Sequence, residues 1–112
     1  MSQFDDVIAN CKALMTTQNI ECDEALLTKI AKSLGPSIYN KDSGTVATAD
    51  KGEMETVRKN FVNGKLGCAD GPEVDAAIAA ATEQIGKSNP NKLRPVYYYL
   101  LVKALGKESV FA

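Results

Sequence analysis

Apolar residues recur along this chain at intervals of three and four. Phe4, Val7, Ile8, Cys11, Leu14 and Met15 follow the i, i+3, i+4, i+7 rhythm of one helix face. Ser2 precedes them as a candidate N-cap. Asp5 and Asp6 fall in the first turn, where the helix dipole favours negative charge. The stretch "TTQNIEC" breaks the rhythm. Asp23 then caps a second helix with Leu26, Leu27, Ile30, Ala31 and Leu34 along one side. Gly35-Pro36 ends it, because glycine takes the left-handed residue and proline cannot continue a helix. Residues 36–49 lose periodicity and are rich in Ser, Thr, Gly and Asp, which predicts mostly loop, with a short turn near residues 37–40.

Asp50 followed by Glu53 resembles a capping box at the start of a third helix, with Met54, Val57, Phe61 and Val62 as its apolar face and Asn63-Gly64 as its stop. "KLGCADG" connects it to a fourth helix. Pro72 suits that helix's first turn, Val74, Ala77, Ile78, Ala81 and Ile85 line it, and Gly86 closes it. A fifth helix runs through "KLRPVYYYLLVKALGK", with Asn91 as the expected N-cap and Pro95 as its fourth residue. No run alternates with period two and no segment repeats. The pattern therefore predicts an all-α fold: one compact domain over residues 1–112, a bundle of about five helices.

The three consecutive tyrosines decide what the fifth helix is for. At 100° per residue, Leu93, Tyr97, Leu100, Leu101 and Ala104 share one arc. Val96, Tyr98 and Leu105 widen it, and Val102 lies on the far side. A helix apolar nearly all round is a buried one, so this C-terminal helix is expected at the centre of the core. Tyr99 and Lys103 fall together on the remaining strip and are the expected exposed contact. Neighbouring tyrosines diverge around the helix, which argues against one stacking platform for nucleobases.

Composition narrows function mainly by exclusion. The chain has 112 residues, 45% of them hydrophobic and 24% charged, with a net charge of −1, as in ordinary globular proteins. It contains no histidine, which removes the usual Ser-His-Asp and Cys-His catalysts and most zinc sites. Its three cysteines, Cys11, Cys22 and Cys68, have no metal or disulfide spacing and are expected as free, packed thiols. No metal, cofactor or catalytic residue is therefore expected, although an enzyme built on carboxylates, Lys, Tyr or Cys stays open. No apolar run reaches membrane-spanning length and the N-terminus lacks a signal-peptide pattern, so a cytoplasmic protein with no membrane association is expected.

Charge is unevenly placed. Residues 87–112 carry five cations against Glu108 alone, whereas residues 1–86 carry eight cations and thirteen acids. Lys87, Lys92 and Arg94 surround the start of the fifth helix, with Asn89, Pro90 and Asn91 between them. Two readings follow. Arg94 pairs with a carboxylate of another helix, or the three cations and the helix-start amides form an anion site for phosphate or nucleic acid. The overall charge disfavours broad DNA binding. The resulting expectation is a non-catalytic interaction or regulatory domain with a protein partner, with the anion- or nucleic-acid-binding module as the alternative.

At "LGPSIYN", "VRKNFVNGKLG" and above all "SNPNKLRPVYYYLLVKALGKESVF", the chain resembles a family of small uncharacterised bacterial proteins, a domain of unknown function. The resemblance implies a helical single-domain protein and carries over no catalytic or ligand residues.

Overall fold

The computed structural model describes residues 3–39, 44–46, 48, 50–69, 71–86 and 92–111. Five α-helices appear among them: α1 (Gln3–Thr17), α2 (Glu24–Leu34), α3 (Lys51–Thr56), α4 (Pro72–Ile85) and α5 (Arg94–Leu105). A π-helix (Val57–Lys65) continues α3, and short 3-10 turns follow α2 (Gly35–Tyr39) and α5 (Glu108–Phe111). The only β pairing among the described residues is a single antiparallel bridge between Thr45 and Leu93.

The helix faces lie where the periodicity puts them. Ile8, Cys11, Leu14 and Met15 are buried on α1, and Leu26, Leu27, Ile30 and Ala31 on α2. The Asp23 carboxylate accepts from the Leu26 amide at 3.2 Å, closing the α2 N-terminus as expected of an N-cap. Gly35 stops α2 at φ +71°, where a side chain would be strained. On α4, Val74, Ala77, Ala81 and Ile85 are buried. The small side chains of Ala77 and Ala81 let α4 lie close to α5, the most extensive helix pairing among the described residues.

All eight residues from Pro95 to Val102 are buried, so α5 is the central core helix. It begins later than the sequence suggests. Leu93 is the N-cap and Pro95 sits in the first turn, where a missing amide costs no intrahelical bond. Asn91, the expected cap, lies outside the described residues.

The third helix differs more. Asn63-Gly64 does not stop it. Val57, Phe61, Val62 and Leu66 are all buried, a recurrence wider than an α-helix allows. The i→i+5 bonding of a π-helix matches that recurrence and keeps all four on the core side. The Leu66 amide donates to the Phe61 carbonyl at 2.9 Å. The true stop is Gly67, at φ +69°. There the Cys68 amide turns back to Val62 O at 3.0 Å and Asn63 Nδ2 donates to Cys68 O at 2.6 Å.

Candidate functional site

The start of α5 is bound into the fold rather than open to solvent. The Arg94 amide donates to Gly44 O at 2.7 Å, and the Val46 amide donates to Lys92 O at 2.8 Å. Pro95 has no amide to offer. The Tyr97 amide returns to Leu93 O at 3.0 Å. The first amide of α5 that an incoming anion would use is thus committed to a protein acceptor, and the second position has none.

The Arg94 side chain is committed too. Its Nη2 lies 2.5 Å from Glu53 Oε1 and 3.1 Å from Thr45 O, and its Nη1 donates to the Tyr98 hydroxyl at 2.9 Å. Its side chain is 12% exposed and that of Glu53 is 27% exposed. Burial works against the Arg94 charge, but the bonds to Glu53 and Tyr98 outweigh it and hold the guanidinium protonated more firmly than usual. The capping-box expectation is corrected here. The Asp50 carboxylate does accept from the Gly52 and Glu53 amides, at 2.9 and 3.2 Å, but the Glu53 carboxylate reaches Arg94. Of the other cations expected beside Arg94, Lys92 is 8% exposed and Lys87 lies outside the described residues, as do Asn89 and Pro90.

The three tyrosines address three different neighbours, as their 100° spacing requires. The Tyr97 hydroxyl meets Thr82 Oγ1 at 2.9 Å on α4, and Thr82 in turn donates to Ile78 O at 2.9 Å. Tyr98 stacks on Phe61 of the π-helix, with centroids 4.1 Å apart, and holds Arg94. The Tyr99 hydroxyl accepts from the Asp23 amide and donates to Glu21 O, each at 2.9 Å. Tyr99 was the expected exposed contact and is instead 2% exposed, because residues 20–23 fold over that side of α5. Lys103, its expected companion, is exposed and lies 3.7 Å from Glu108. Burial raises all three phenols above their ordinary value.

All three thiols are free: Cys11 is buried, Cys68 half-buried and Cys22 exposed. Burial pushes the Cys11 thiol up to about 12, and desolvation also raises Cys22. Neither has the lowered value of a catalytic nucleophile. Among the described residues, no three His, Cys, Asp or Glu side chains converge as a metal-binding group. No described helix is long and apolar enough to cross a membrane.

A cavity of about 460 Å³ opens between the α3–π segment and α4. Half-buried Met54 and Ile78 supply its apolar floor, with Thr82 beside them, and Lys51, Glu55 and Arg58 stand around it. Arg58 reaches Asp75 on α4 at 2.5 Å, and Lys59 holds Glu55 at 3.4 Å. Lys51 pairs with none of the described carboxylates. Periodicity assigned Met54 and Ile78 to the core and so missed the groove. The available signal was the charged row Lys51, Glu55 and Arg58 on the same helical side as Met54.

A family model described as "Protein of unknown function (DUF2853)" matches residues 9–109. The chain belongs to DUF2853. No curated protein matches it. The DUF2853 match covers α2 to α5, the Tyr97–Tyr99 core and most of α1, and omits the first turn and a half of α1 and the last residues of the C-terminal 3-10 turn.

Proposed function

We propose that this DUF2853 chain is a non-catalytic, cytoplasmic interaction domain that takes a segment of a protein partner in the groove between α3 and α4. The observation that carries this reading is the groove's make-up: an apolar floor of Met54 and Ile78 inside a charged rim, in about 460 Å³. Glu55 and Arg58 already have partners, whereas Lys51 has none among the described residues. The segment that fits best therefore presents an apolar anchor beside a carboxylate. A partner recovered from the native cell and purified should lose at least about tenfold in affinity for Ile78→Asp, the loss expected when an apolar anchor's socket is filled by a charge. The same partner should bind Ala9→Asp, an exposed α1 position that does not line the groove, as it binds the unaltered chain. Unchanged affinity for a folded Ile78→Asp variant would overturn the reading.

The alternative anion- or nucleic-acid-binding role at Lys87, Lys92 and Arg94 has less support, since Arg94 is engaged by Glu53. It predicts affinity that falls steeply with salt, and amide shifts at residues 92–94 on titration with inorganic phosphate. The interaction reading predicts neither.

A further inference from the structure

A second surface, independent of the α3–α4 groove, is already occupied by the chain itself. After α5, Gly106 takes φ +66° and the chain turns into the 3-10 strap Glu108–Phe111. Phe111 is 7% exposed. Its ring stacks 6.3 Å from Phe61, and Lys65 Nζ stands 5.6 Å above it. The rest of the strap is exposed, including Val110 at 38%. The strap's own backbone bond, Val110 N to Lys107 O at 3.0 Å, is internal. No hydrogen bond among the described residues joins residues 108–111 to α2 or to the π-helix, and the Lys103–Glu108 contact is an exposed 3.7 Å pair. Among the described residues, Phe111 is the strap's buried anchor.

Cavities flank that side chain along α2. One of about 170 Å³ has Leu26, Lys29, Glu108 and Phe111 among its walls. Another of about 250 Å³ is walled in part by Phe61 and Lys65, the two residues on which Phe111 rests. Phe111 thus lines the first cavity and packs on Phe61, which lines the second.

We propose that the cleft between α2 and the π-helix is a docking site for an aromatic side chain of a protein partner, carried three residues after an acidic one, and that Phe111 is its internal occupant. The strap states the chemistry that the cleft accepts. An aromatic ring here stacks on the Phe61 ring within reach of the Lys65 ammonium, a contact no aliphatic side chain reproduces. The acid three residues earlier, Glu108 in the strap, faces a rim that carries Lys29 and Lys103. Binding in trans requires the strap to leave, which makes the partner's apparent affinity scale with the open fraction.

The test uses the full chain and a synthetic hexapeptide with the sequence of residues 107–112. Phe111→Ala should bind this peptide at least about tenfold more tightly than the unaltered chain does. The amide shifts should be centred on Leu26 and Lys65, and a peptide with Leu in place of Phe should lose most of that affinity. Equal binding to both proteins, or no shifts in the variant up to millimolar peptide, overturns the proposal. Should Phe111→Ala fail to fold, amide exchange in the unaltered chain decides. Exchange at Val110 much faster than at Leu101 shows that the strap opens alone and supports the proposal. Equal protection shows that it opens only with the whole fold, and overturns it.

Discussion

Tyr99 holds the connector between α1 and α2 with one hydroxyl, accepting from the Asp23 amide and donating to Glu21 O. Tyr99→Phe removes both bonds and should cost roughly 1–3 kcal/mol in urea unfolding, the usual penalty for unmade bonds at a part-buried site. Tyr97→Phe should cost less, because Thr82 keeps its own bond to Ile78 O. Tyr99→Ala and Leu101→Ala should fall in the same range, about 2–5 kcal/mol, since both side chains are buried. The burial of Tyr99 was not legible in the sequence. A helical wheel ranks positions on one helix, and the cover over Tyr99 comes from a connector that no periodicity describes. Arg94 was half legible: the charge imbalance called for a carboxylate partner, but Glu53 had been assigned to its own helix cap. Cys11 gives a pH prediction. Its folded value, about 12, stands above the ordinary 9.0, so the folded state holds the proton longer than the unfolded chain does. That contribution is fully present below pH 9 and is lost as pH rises toward 12; the buried tyrosines, also raised, act in the same direction. Denaturant midpoints measured across the alkaline range should fall accordingly. A thiol reagent should label Cys22 first and Cys11 only at the rate of unfolding.

The segment from Lys51 to Lys65 shows how an element can be misread while its buried residues are read correctly. Val57, Phe61 and Val62 were legible as core, and they are. Asn63-Gly64 read as a terminator only because an α-helix was assumed; with Leu66 counted, the recurrence already favoured a wider turn. Glycine at position 64 has a spatial reason. A Cβ there would lie 3.2 Å from Lys59 O, the carbonyl five residues back. Gly64→Ala should therefore fail to deliver the gain of about 0.5–1 kcal/mol that the same exchange gives inside an α-helix. At Gly67 open space surrounds the missing Cβ, but φ is +69°. Gly67→Ala should cost about 1–2 kcal/mol through backbone strain alone. Thermal unfolding of the two variants separates a crowded glycine from a left-handed one. Several other helix boundaries were legible because their signals are local: Asp23 before α2, Pro72 within α4, and Gly35 and Gly86 after their helices.

The whole molecule is organised around α5, which meets α1, α2 and α4, and the Cα radius of gyration is 12.8 Å, close to the ~13 Å expected for a domain of this length. Amides of residues 100–102 should consequently exchange only through global unfolding, at the slowest rate in the chain. The centrality of α5 was legible in its all-round apolarity; its three separate attachments were not, because they depend on which neighbour stands at each angle. The tyrosine run has a further consequence for how α5 finds its place. A run of identical residues is an ambiguous address. If α5 advanced by one residue, a screw of 100° and about 1.5 Å, tyrosines would still fill two of the three sockets that Tyr97, Tyr98 and Tyr99 occupy. The native seating is favoured over that near-copy by burial after the run, where a step would bring Lys103 toward the Val102 socket, and by two contacts just ahead of it: the Thr45–Leu93 bridge and the Arg94–Glu53 pair, each of which a one-step advance would break. Arg94 thus acts as an index mark as well as an ion-pair partner. Arg94→Met should do more than lower stability: the refolding chain should divide between two dockings of α5, and a second, slower refolding phase should appear in stopped-flow fluorescence where the unaltered chain shows one.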